Sequence, residues 1–150
     1  MVNERVNIPS INANYYTPLI KLDASLRSSS LTLTTQLLIY IRASQINGCA
    51  YCVQLHIKEA IEKGEKQYRI HALPAWQHSP FFTEKEQVIL SMTEEITAIS
   101  AKGLTDEVYE KATTLLNEEE IADVIMATTC INAWNRIGRA TLLVPDKSQD

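Results

Sequence analysis

The stretch Asn47-Gly48-Cys49-Ala50-Tyr51-Cys52-Val53-Gln54-Leu55-His56 decides how the rest of the sequence is interpreted. Asn47-Gly48 is a typical C-terminal stop for one helix, and the next helix is expected to begin at Cys49. On that helix Cys49, Cys52 and His56 are three and four positions apart, so their side chains share one face. Cα atoms three positions apart on a helix lie about 5 Å from each other, which is within the range for a disulfide.

The position of this pair at a helix opening predicts its chemistry. A first-turn cysteine lies near free N–H groups and the positive end of the helix dipole, which both favour an anion. Thiolates of Cys-X-X-Cys pairs at helix N-termini have pKa values lowered by about one to several units. His56, one turn beyond Cys52, is placed to take or return its proton. The pattern indicates a dithiol redox site, and the spacing alone gives Cys49 at least as strong a claim to the low pKa as Cys52.

Two alternatives use the same three side chains. The first is a zinc site, because thiolate and imidazole are usual zinc ligands. A fourth ligand would then have to come from elsewhere in the chain: His71, His78, Cys130 or an acid. The second is a pair of buried cysteines with a core histidine, since free cysteine is among the most buried residue types.

Outward from this stretch, start and stop signals divide the sequence into helices. We predict an irregular N-terminal arm at residues 1–14, and one all-α domain over residues 1–150 built as a bundle of about six helices. Thr17-Pro18, Thr83 with Glu86, Thr105, and Asn117 with Glu120 are the predicted helix starts. The expected helices cover residues 17–26, 31–47, 49–63, 66–73, 83–102 and 105–116 and a last segment from 117, with a loop at 75–82.

Composition supports this class and excludes others. The 150 residues include only 4 Gly and 5 Pro, too few for a turn-rich β-sandwich or barrel. The net charge of −4 gives no electrostatic reason to expect nucleic acid or an anionic membrane as partner. The longest apolar run, residues 37–41, is far too short to span a bilayer. Because no secretory signal is visible, we expect a cytoplasmic protein in which a close cysteine pair is catalytic or metal-binding.

The sequence around the cysteines resembles the core motif of AhpD-like alkyl hydroperoxidases, in the carboxymuconolactone decarboxylase superfamily. The matching run is Arg42-Ala43-Ser44-Gln45-Ile46-Asn47-Gly48-Cys49-Ala50-Tyr51-Cys52, followed by His56 and Ala60. Further likeness extends over about residues 15–140: Ala72-Leu73-Pro74-Ala75-Trp76, Phe82-Thr83-Glu84-Lys85-Glu86, Leu90, Thr93-Glu94, Thr97 and Asn132-Ala133-Trp134-Asn135-Arg136. The resemblance implies an all-helical fold in trimers or hexamers and thiol-dependent reduction of peroxides, with no cofactor or metal.

The resemblance also implies a role for each site residue. Cys52 is expected to be the peroxidatic thiolate, Cys49 the resolving partner approached by an external thiol or disulfide-reductase donor, and His56 part of the proton relay. The glutamate that the family carries twelve residues before the first cysteine is absent, because Leu37 occupies that position. Glu94 is the candidate to replace it, whereas Glu86 is expected to serve only in a capping box.

We therefore expect an antioxidant thiol peroxidase or disulfide reductase acting on a hydroperoxide. The alternatives are a carboxymuconolactone-type decarboxylase, which has no need of a dithiol, and a non-enzymatic helical oligomer that senses redox state or holds zinc. Cys130 is expected to be a buried small apolar side chain. For Trp134-Asn135-Arg136 the expectation is subunit packing.

Overall fold

The computed structural model describes residues 4–146, and the regular structure in that range is entirely helical. The all-α fold predicted from the sequence is thus confirmed. The α-helices in that range are α1 (Ile8–Ile11), α2 (Thr17–Leu26), α3 (Leu33–Asn47), α4 (Ala50–Glu62), α5 (Gln67–Ala72), α6 (Glu84–Thr97), α7 (Ile99–Lys102), α8 (Asp106–Leu115) and α9 (Glu118–Thr141). Short 3-10 helices cover Ala13–Tyr15 and Leu73–His78.

The start signals of the longer helices act as predicted. Thr83 and Glu86 form a reciprocal capping box at the start of α6, and Asn117 and Glu120 form one at the start of α9. The Thr105 side chain accepts the Val108 N–H at the start of α8. These caps satisfy N–H groups that have no partner inside the helix, so each helix has one defined beginning.

The N-terminal half differs from the prediction in its local detail. The predicted irregular arm is only partly irregular, because the Asn7 and Asn12 side chains cap α1 and the first 3-10 helix. Residues 4–7 have no regular structure, and residues 1–3 of the predicted arm lie outside the described residues. Thr17 is the first residue of α2 and not its cap, and Tyr16, in the cap position, makes no capping bond through its side chain. Asn7 and Asn12 are the sequence signals of the two short helices, since asparagine is among the preferred N-cap residues.

The predicted single helix over residues 83–102 is interrupted. Ala98 leaves the helical conformation, with φ −95° and ψ 39°, so α6 ends at Thr97 and α7 is a separate turn. At helical spacing Ile99 would continue the buried face of Val88 and Met92, but it is 53% exposed because the break removes it from that face. The predicted loop at 75–82 likewise begins as a continuation of the 3-10 helix.

Helix α3 is the centre of the molecule and packs against α4, α6 and α9. Its apolar run at residues 37–41 is at most 1% exposed at every position, which is why its residues show no clear amphipathic pattern. Each such buried side chain contributes about 1.5–3 kcal/mol to stability. The core on the α9 side of α3 is made of Leu26, Leu31, Ile39, Tyr40, Ala43, Val88, Ile89, Met92, Ala112, Leu116, Ile121, Val124, Ala127, Cys130 and Ile131. The core on the α4 side consists of Leu37, Leu38, Ile41, Ala60, Ile70, Leu73, Trp76, Phe82 and Leu90.

A buried polar cluster fixes the end of α3 against α9. Asn135 donates to Ser44 Oγ at 2.9 Å, and Asn47 Nδ2 donates to Asn135 Oδ1 at 2.9 Å and to Asn132 Oδ1 at 3.0 Å. Asn135 is 1% exposed and makes its hydrogen bonds within its own chain. For Trp134 and Arg136, packing against another subunit stays a prediction. The cluster fixes the point at which the chain turns into α4.

Candidate active site

Cys49 and Cys52 are joined by a disulfide at the start of α4, with their Cα atoms 5.3 Å apart. Cys49 is the N-cap of α4, one position earlier than the first-turn placement expected from the sequence, because Gly48 takes a left-handed conformation with φ 64° that turns the chain before it. The Cys49 sulfur accepts the Cys52 N–H at 3.4 Å, as a serine or threonine oxygen does in an N-cap.

Gly138 of α9 provides the space for this disulfide. A Cβ at that position would lie 3.0 Å from Cys49 Sγ and 3.5 Å from Cys52 Sγ. Any larger side chain would therefore push the sulfurs or the helix away. The sequence analysis missed Gly138, although a glycine in the interior of a long helix was a usable signal, since glycine there costs about 1 kcal/mol and needs a packing reason.

Cys52 opens into a cavity of about 310 Å³. One part of its wall is apolar or aromatic and another is ionisable, a combination typical of small-molecule sites. The lining residues are Tyr16, Asp23, Arg27, Tyr51, Cys52, Leu55, His56, Glu59, Trp134 and Leu143. The structure thus brings Cys52 and His56 to one cavity, and Trp134 is part of its wall, with its ring edge-on to Tyr16 at 5.3 Å between centroids.

His56 is held as a neutral imidazole. Its side chain is buried against the Tyr40 ring, with 4.9 Å between ring centroids. Burial lowers the pKa of His56 to about 4, and this effect outweighs the opposing attraction of Glu59. A histidine that is neutral at pH 7 has a free lone pair and acts as a proton acceptor for a neighbouring thiol.

Glu59 lies one turn beyond His56 on α4 and faces its ring. His56 Nδ1 is buried without a hydrogen-bond partner, and Glu59 Oε2 is 3.8 Å from it. Arg27 pairs with both oxygens of Glu59, and Arg27 Nε also lies 3.9 Å from Asp23. Burial opposes the charge of Glu59, but the hydrogen bond and charge of Arg27 outweigh it and lower the pKa of this carboxyl. Glu59 is therefore ionised beside a neutral histidine.

A hydrogen-bond chain continues from this ion pair into the core. The Tyr40 hydroxyl donates to Asp23 Oδ1 at 2.6 Å and accepts from Gln36 Nε2 at 3.0 Å. Burial, followed by the hydrogen bond to Asp23, raises the pKa of Tyr40 far above its usual range, so it stays a hydroxyl. The sequence analysis missed Asp23, Arg27, Tyr40 and Glu59. Only Glu59 carried a local signal, its i,i+3 spacing from His56; the others come from α2 and α3.

The structure does not bring Glu94 to this cavity. Glu94 accepts hydrogen bonds from Arg42 Nε at 2.7 Å, Trp76 Nε1 at 2.7 Å and Gln77 Nε2 at 3.2 Å, on the outer side of α3 and α6. None of these residues lines the cavity of Cys52. The acid that lies beside the histidine is Glu59, and Leu37, which stands at the position of the family glutamate, is fully buried among apolar side chains.

Cys49 lines a different cleft, of about 270 Å³. Arg139 is the charged residue of its wall, and its guanidinium carbon would lie 4.0 Å from a Cβ placed on Gly48. The outer side is formed by the C-terminal segment, which we define as residues 142–146. Leu143 of that segment borders both the cleft and the cavity of Cys52. The full lining is Gly48, Cys49, Ala50, Gly138, Arg139, Leu142, Leu143, Val144 and Pro145.

The remaining candidates from the sequence lie away from the disulfide. Cys130 is fully buried in the core beside Tyr40, and burial raises the pKa of its thiol to about 11, which confirms it as a small core side chain. Glu86 belongs to the capping box of α6 and also pairs with Arg69. His71 and His78 are exposed.

Two further observations concern a metal site and a membrane-spanning helix. Within residues 4–146, no group of three or more His, Cys, Asp or Glu side chains is arranged to hold a metal ion. In the same range, no helix combines the length and the apolar character that crossing a bilayer requires.

Comparison with known proteins identifies the class of this fold and site. Residues 13–95 match the model of the carboxymuconolactone decarboxylase family. Protein YdfG of Bacillus subtilis (strain 168), which is uncharacterised, is 34% identical over 139 residues, covering 93% of this chain and 95% of that one. The chain belongs to the carboxymuconolactone decarboxylase family.

Among solved structures, the fold of this chain matches AhpD-like proteins. ATU0492 from Agrobacterium tumefaciens, a protein of unknown function provisionally named as the antioxidant defence protein AhpD, superposes with a TM-score of 0.93 at 31% identity, over 96% of this chain and 99% of that one. The debrominase Bmp8 has a TM-score of 0.81 at 18% identity, over 92% of this chain and 74% of its own, and shares the fold. The same architecture therefore serves more than one chemistry.

Proposed function

We propose that this chain is a thiol-dependent peroxidase that reduces an organic hydroperoxide with the Cys49–Cys52 couple. The observation that carries the proposal is that Cys52 shares a cavity with a neutral His56, while its disulfide partner Cys49 does not line that cavity. The resemblance to ATU0492 supports an antioxidant role, because that protein has been assigned one provisionally.

The proposed oxidation begins with the reduced dithiol. His56 takes the proton of Cys52, and the resulting thiolate attacks the terminal oxygen of the hydroperoxide ROOH, breaking the O–O bond. Cys52 becomes a sulfenic acid, and the leaving alkoxide receives the proton from His56 and departs as ROH. Glu59, ionised by Arg27, stabilises the imidazolium that exists between these two proton transfers.

Cys49 then closes the cycle. Its sulfur attacks the sulfenic sulfur of Cys52, which forms the disulfide and releases water. The geometry favours this step, since the two Cα atoms are 5.3 Å apart and the Cys49 sulfur caps the helix, where a thiolate is stabilised. Two equivalents of an external thiol donor restore the dithiol and leave as their own disulfide.

Decarboxylation of a lactone acid has less support from this cavity. Asp23 and Glu59 contribute two carboxylates, and the guanidinium of Arg27 already pairs with both of them. Among the described lining residues, no cation is therefore left free for the carboxylate of such a substrate. The likeness to the debrominase is confined to the fold, so debromination is not proposed.

Cysteine variants test the proposal. Cys52→Ser is expected to abolish consumption of cumene hydroperoxide in the presence of dithiothreitol, whereas Cys49→Ser is expected to form a sulfenic acid at Cys52 that dimedone labels. Cys130→Ser is the matched control and is expected to keep wild-type turnover, because Cys130 lies in the core. Peroxide consumption by Cys52→Ser would overturn the assignment, and consumption lost equally in Cys130→Ser would show that the assay reports folding and not chemistry.

A further inference from the structure

The two sulfurs of the disulfide are bordered by spaces of opposite electrostatic character. On the Cys52 side, the lining carries Asp23 and Glu59 against one Arg27. On the Cys49 side, none of the described lining residues carries a carboxylate, and their charged member is Arg139. The space beside Cys49 also lies at the start of α4, where N–H groups and the helix dipole favour an anion.

Arg139 is the cation that the described part of the chain places at this cleft. Its side chain is exposed, and among the described residues it makes no ion pair, unlike Arg27, which is neutralised by acids. It comes from the last turn of α9, lies beside Gly48 and lines the same cleft as Cys49. The position of this cation therefore follows from the same close contact of α9 with the disulfide that Gly138 permits.

We propose that the cleft bounded by Gly48, Arg139 and the C-terminal segment receives the reducing thiol, and that it selects a small thiol carrying a carboxylate near its sulfur. This inference deepens the proposed function, on which it rests for its place in the cycle. A volume of about 270 Å³ matches a small molecule. The carboxylate pairs with Arg139 while the sulfur reaches Cys49.

The reduction that follows is balanced in atoms and electrons. The donor thiolate attacks Cys49 Sγ, the Cys49–Cys52 bond breaks, and Cys52 leaves as a thiolate that takes a proton through His56. A second donor thiolate attacks the donor sulfur of the mixed disulfide; the bond to Cys49 breaks, and Cys49 leaves as a thiolate that takes a proton from solvent. The products are the donor disulfide and the protein dithiol, so two electrons pass from two thiols to the protein.

Reduction of the oxidised protein by three small thiols tests this inference without any peroxide. The probes are 3-mercaptopropionate (anionic), 2-mercaptoethanol (neutral) and cysteamine (cationic), with each rate divided by its own thiolate concentration and measured by acid quench and thiol counting. We expect 3-mercaptopropionate to be about 5-fold faster than 2-mercaptoethanol at low salt, and cysteamine to be the slowest. The net charge of −4 acts against this order, so a preference for the anion reports a local cation.

Two variants locate the effect. Arg139→Gln is expected to bring the three rates to within about 2-fold of each other, while Arg136→Gln, which removes an exposed arginine of the same helix outside the cleft, is expected to keep the wild-type order. The quenched mixed disulfide is expected on Cys49. The inference is overturned if the wild type reacts equally fast with all three thiols, or if its preference for the anionic thiol survives in Arg139→Gln. It is also overturned if Arg136→Gln loses that preference to the same extent, or if the adduct is found on Cys52. Because no peroxide is used, these outcomes are independent of whether the protein consumes peroxide.

Discussion

The two ends of one disulfide lie in different chemical surroundings. Cys52 faces aromatic side chains, a neutral histidine and a carboxylate fixed by an arginine. Cys49 caps a helix beside a short C-terminal segment and Arg139, an arginine that makes no ion pair within residues 4–146. The difference indicates how two chemically identical sulfur atoms can take different parts, one in oxidation of the dithiol and the other in reduction of the disulfide. Oxidation needs a base next to the attacking sulfur, and reduction needs a route for a thiol to the other sulfur.

The largest predicted effect concerns the neutral histidine on the Cys52 side. The pKa of His56 is about 4 in the folded chain and about 6.5 in the unfolded chain, so between these values only the unfolded chain is protonated. Stability is therefore lost as pH falls from 6.5 to 4, by about 3 kcal/mol in the free energy of unfolding of the oxidised protein. Urea unfolding at a series of pH values measures this loss.

Two histidine variants separate this effect from that of the acids. In His56→Gln the loss of stability between pH 6.5 and 4 is expected to shrink by about 3 kcal/mol, whereas the exposed His78 replaced by glutamine leaves the wild-type slope unchanged. If wild type and His56→Gln have parallel pH profiles, then His56 titrates normally and the contrast between the two ends of the disulfide disappears.

The second prediction compares two glutamates. Glu59→Gln is expected to slow oxidation of the reduced protein by cumene hydroperoxide by about 10- to 100-fold, because the imidazolium of His56 loses its counter-charge. Reduction of the disulfide by 2-mercaptoethanol is expected to stay within about 2-fold of wild type. Stopped-flow oxidation and quenched thiol counting measure the two rates separately.

Glu94→Gln provides the opposing arm of this comparison. Glu94 accepts hydrogen bonds from Arg42 and Trp76 and does not line the cavity. We therefore expect cumene hydroperoxide to oxidise the reduced Glu94→Gln variant at a rate within about 2-fold of wild type. A large loss in Glu94→Gln with none in Glu59→Gln would restore the role that the sequence gave to Glu94. Thermal unfolding of both variants checks that each is folded.

The smallest predicted effect concerns the C-terminal segment on the Cys49 side. The Gln54 side chain makes two hydrogen bonds to the Asp146 backbone: its Nε2 donates to the carbonyl at 2.7 Å, and its Oε1 accepts the N–H at 2.8 Å. These bonds hold the C-terminal segment beside Cys49, which is only 2% exposed. Gln54→Ala is expected to speed disulfide reduction by 2-mercaptoethanol by about 5-fold, since these bonds contribute about 1 kcal/mol. Oxidation by peroxide is expected to be unchanged.

Gln87→Ala is the matched control for this prediction. Gln87 is also a partly buried glutamine that donates to a backbone carbonyl, that of Phe82 at 2.9 Å, but it lies in α6. It is expected to leave both rates as in wild type. Unchanged reduction in Gln54→Ala would mean that the C-terminal segment does not limit access to Cys49.

The fold was largely predictable because its signals are local. N-cap side chains and the glycine after Asn47 act within four residues, and they indicate the starts of α6, α8 and α9 and the turn before α4. The break at Ala98 was not predictable, because no Gly or Pro marks it. The expected assembly into trimers or hexamers stays a prediction, since it depends on contacts between chains.

The candidate site was predictable only where its residues lie on one helix. Cys49, Cys52 and His56 follow from spacing on α4, but the side chains that set their chemistry come from other helices. Arg27, Tyr40 and Gly138 are far apart in sequence, and no periodicity indicates that they meet. Glu94 was indicated because it matches a family position, and that match says nothing about which side chains meet in this chain. Glu59, which lies three residues from His56, is the acid beside it.

Counting thiols tests the central claim most directly. The fully reduced, denatured protein has three titratable thiols, from Cys49, Cys52 and Cys130. After the folded, reduced protein reacts with one equivalent of cumene hydroperoxide in the absence of a donor, the account predicts that only the thiol of Cys130 remains and that mass mapping finds Cys49 bonded to Cys52. Three remaining thiols, or an oxidised Cys130 beside an intact Cys49 and Cys52, would contradict it.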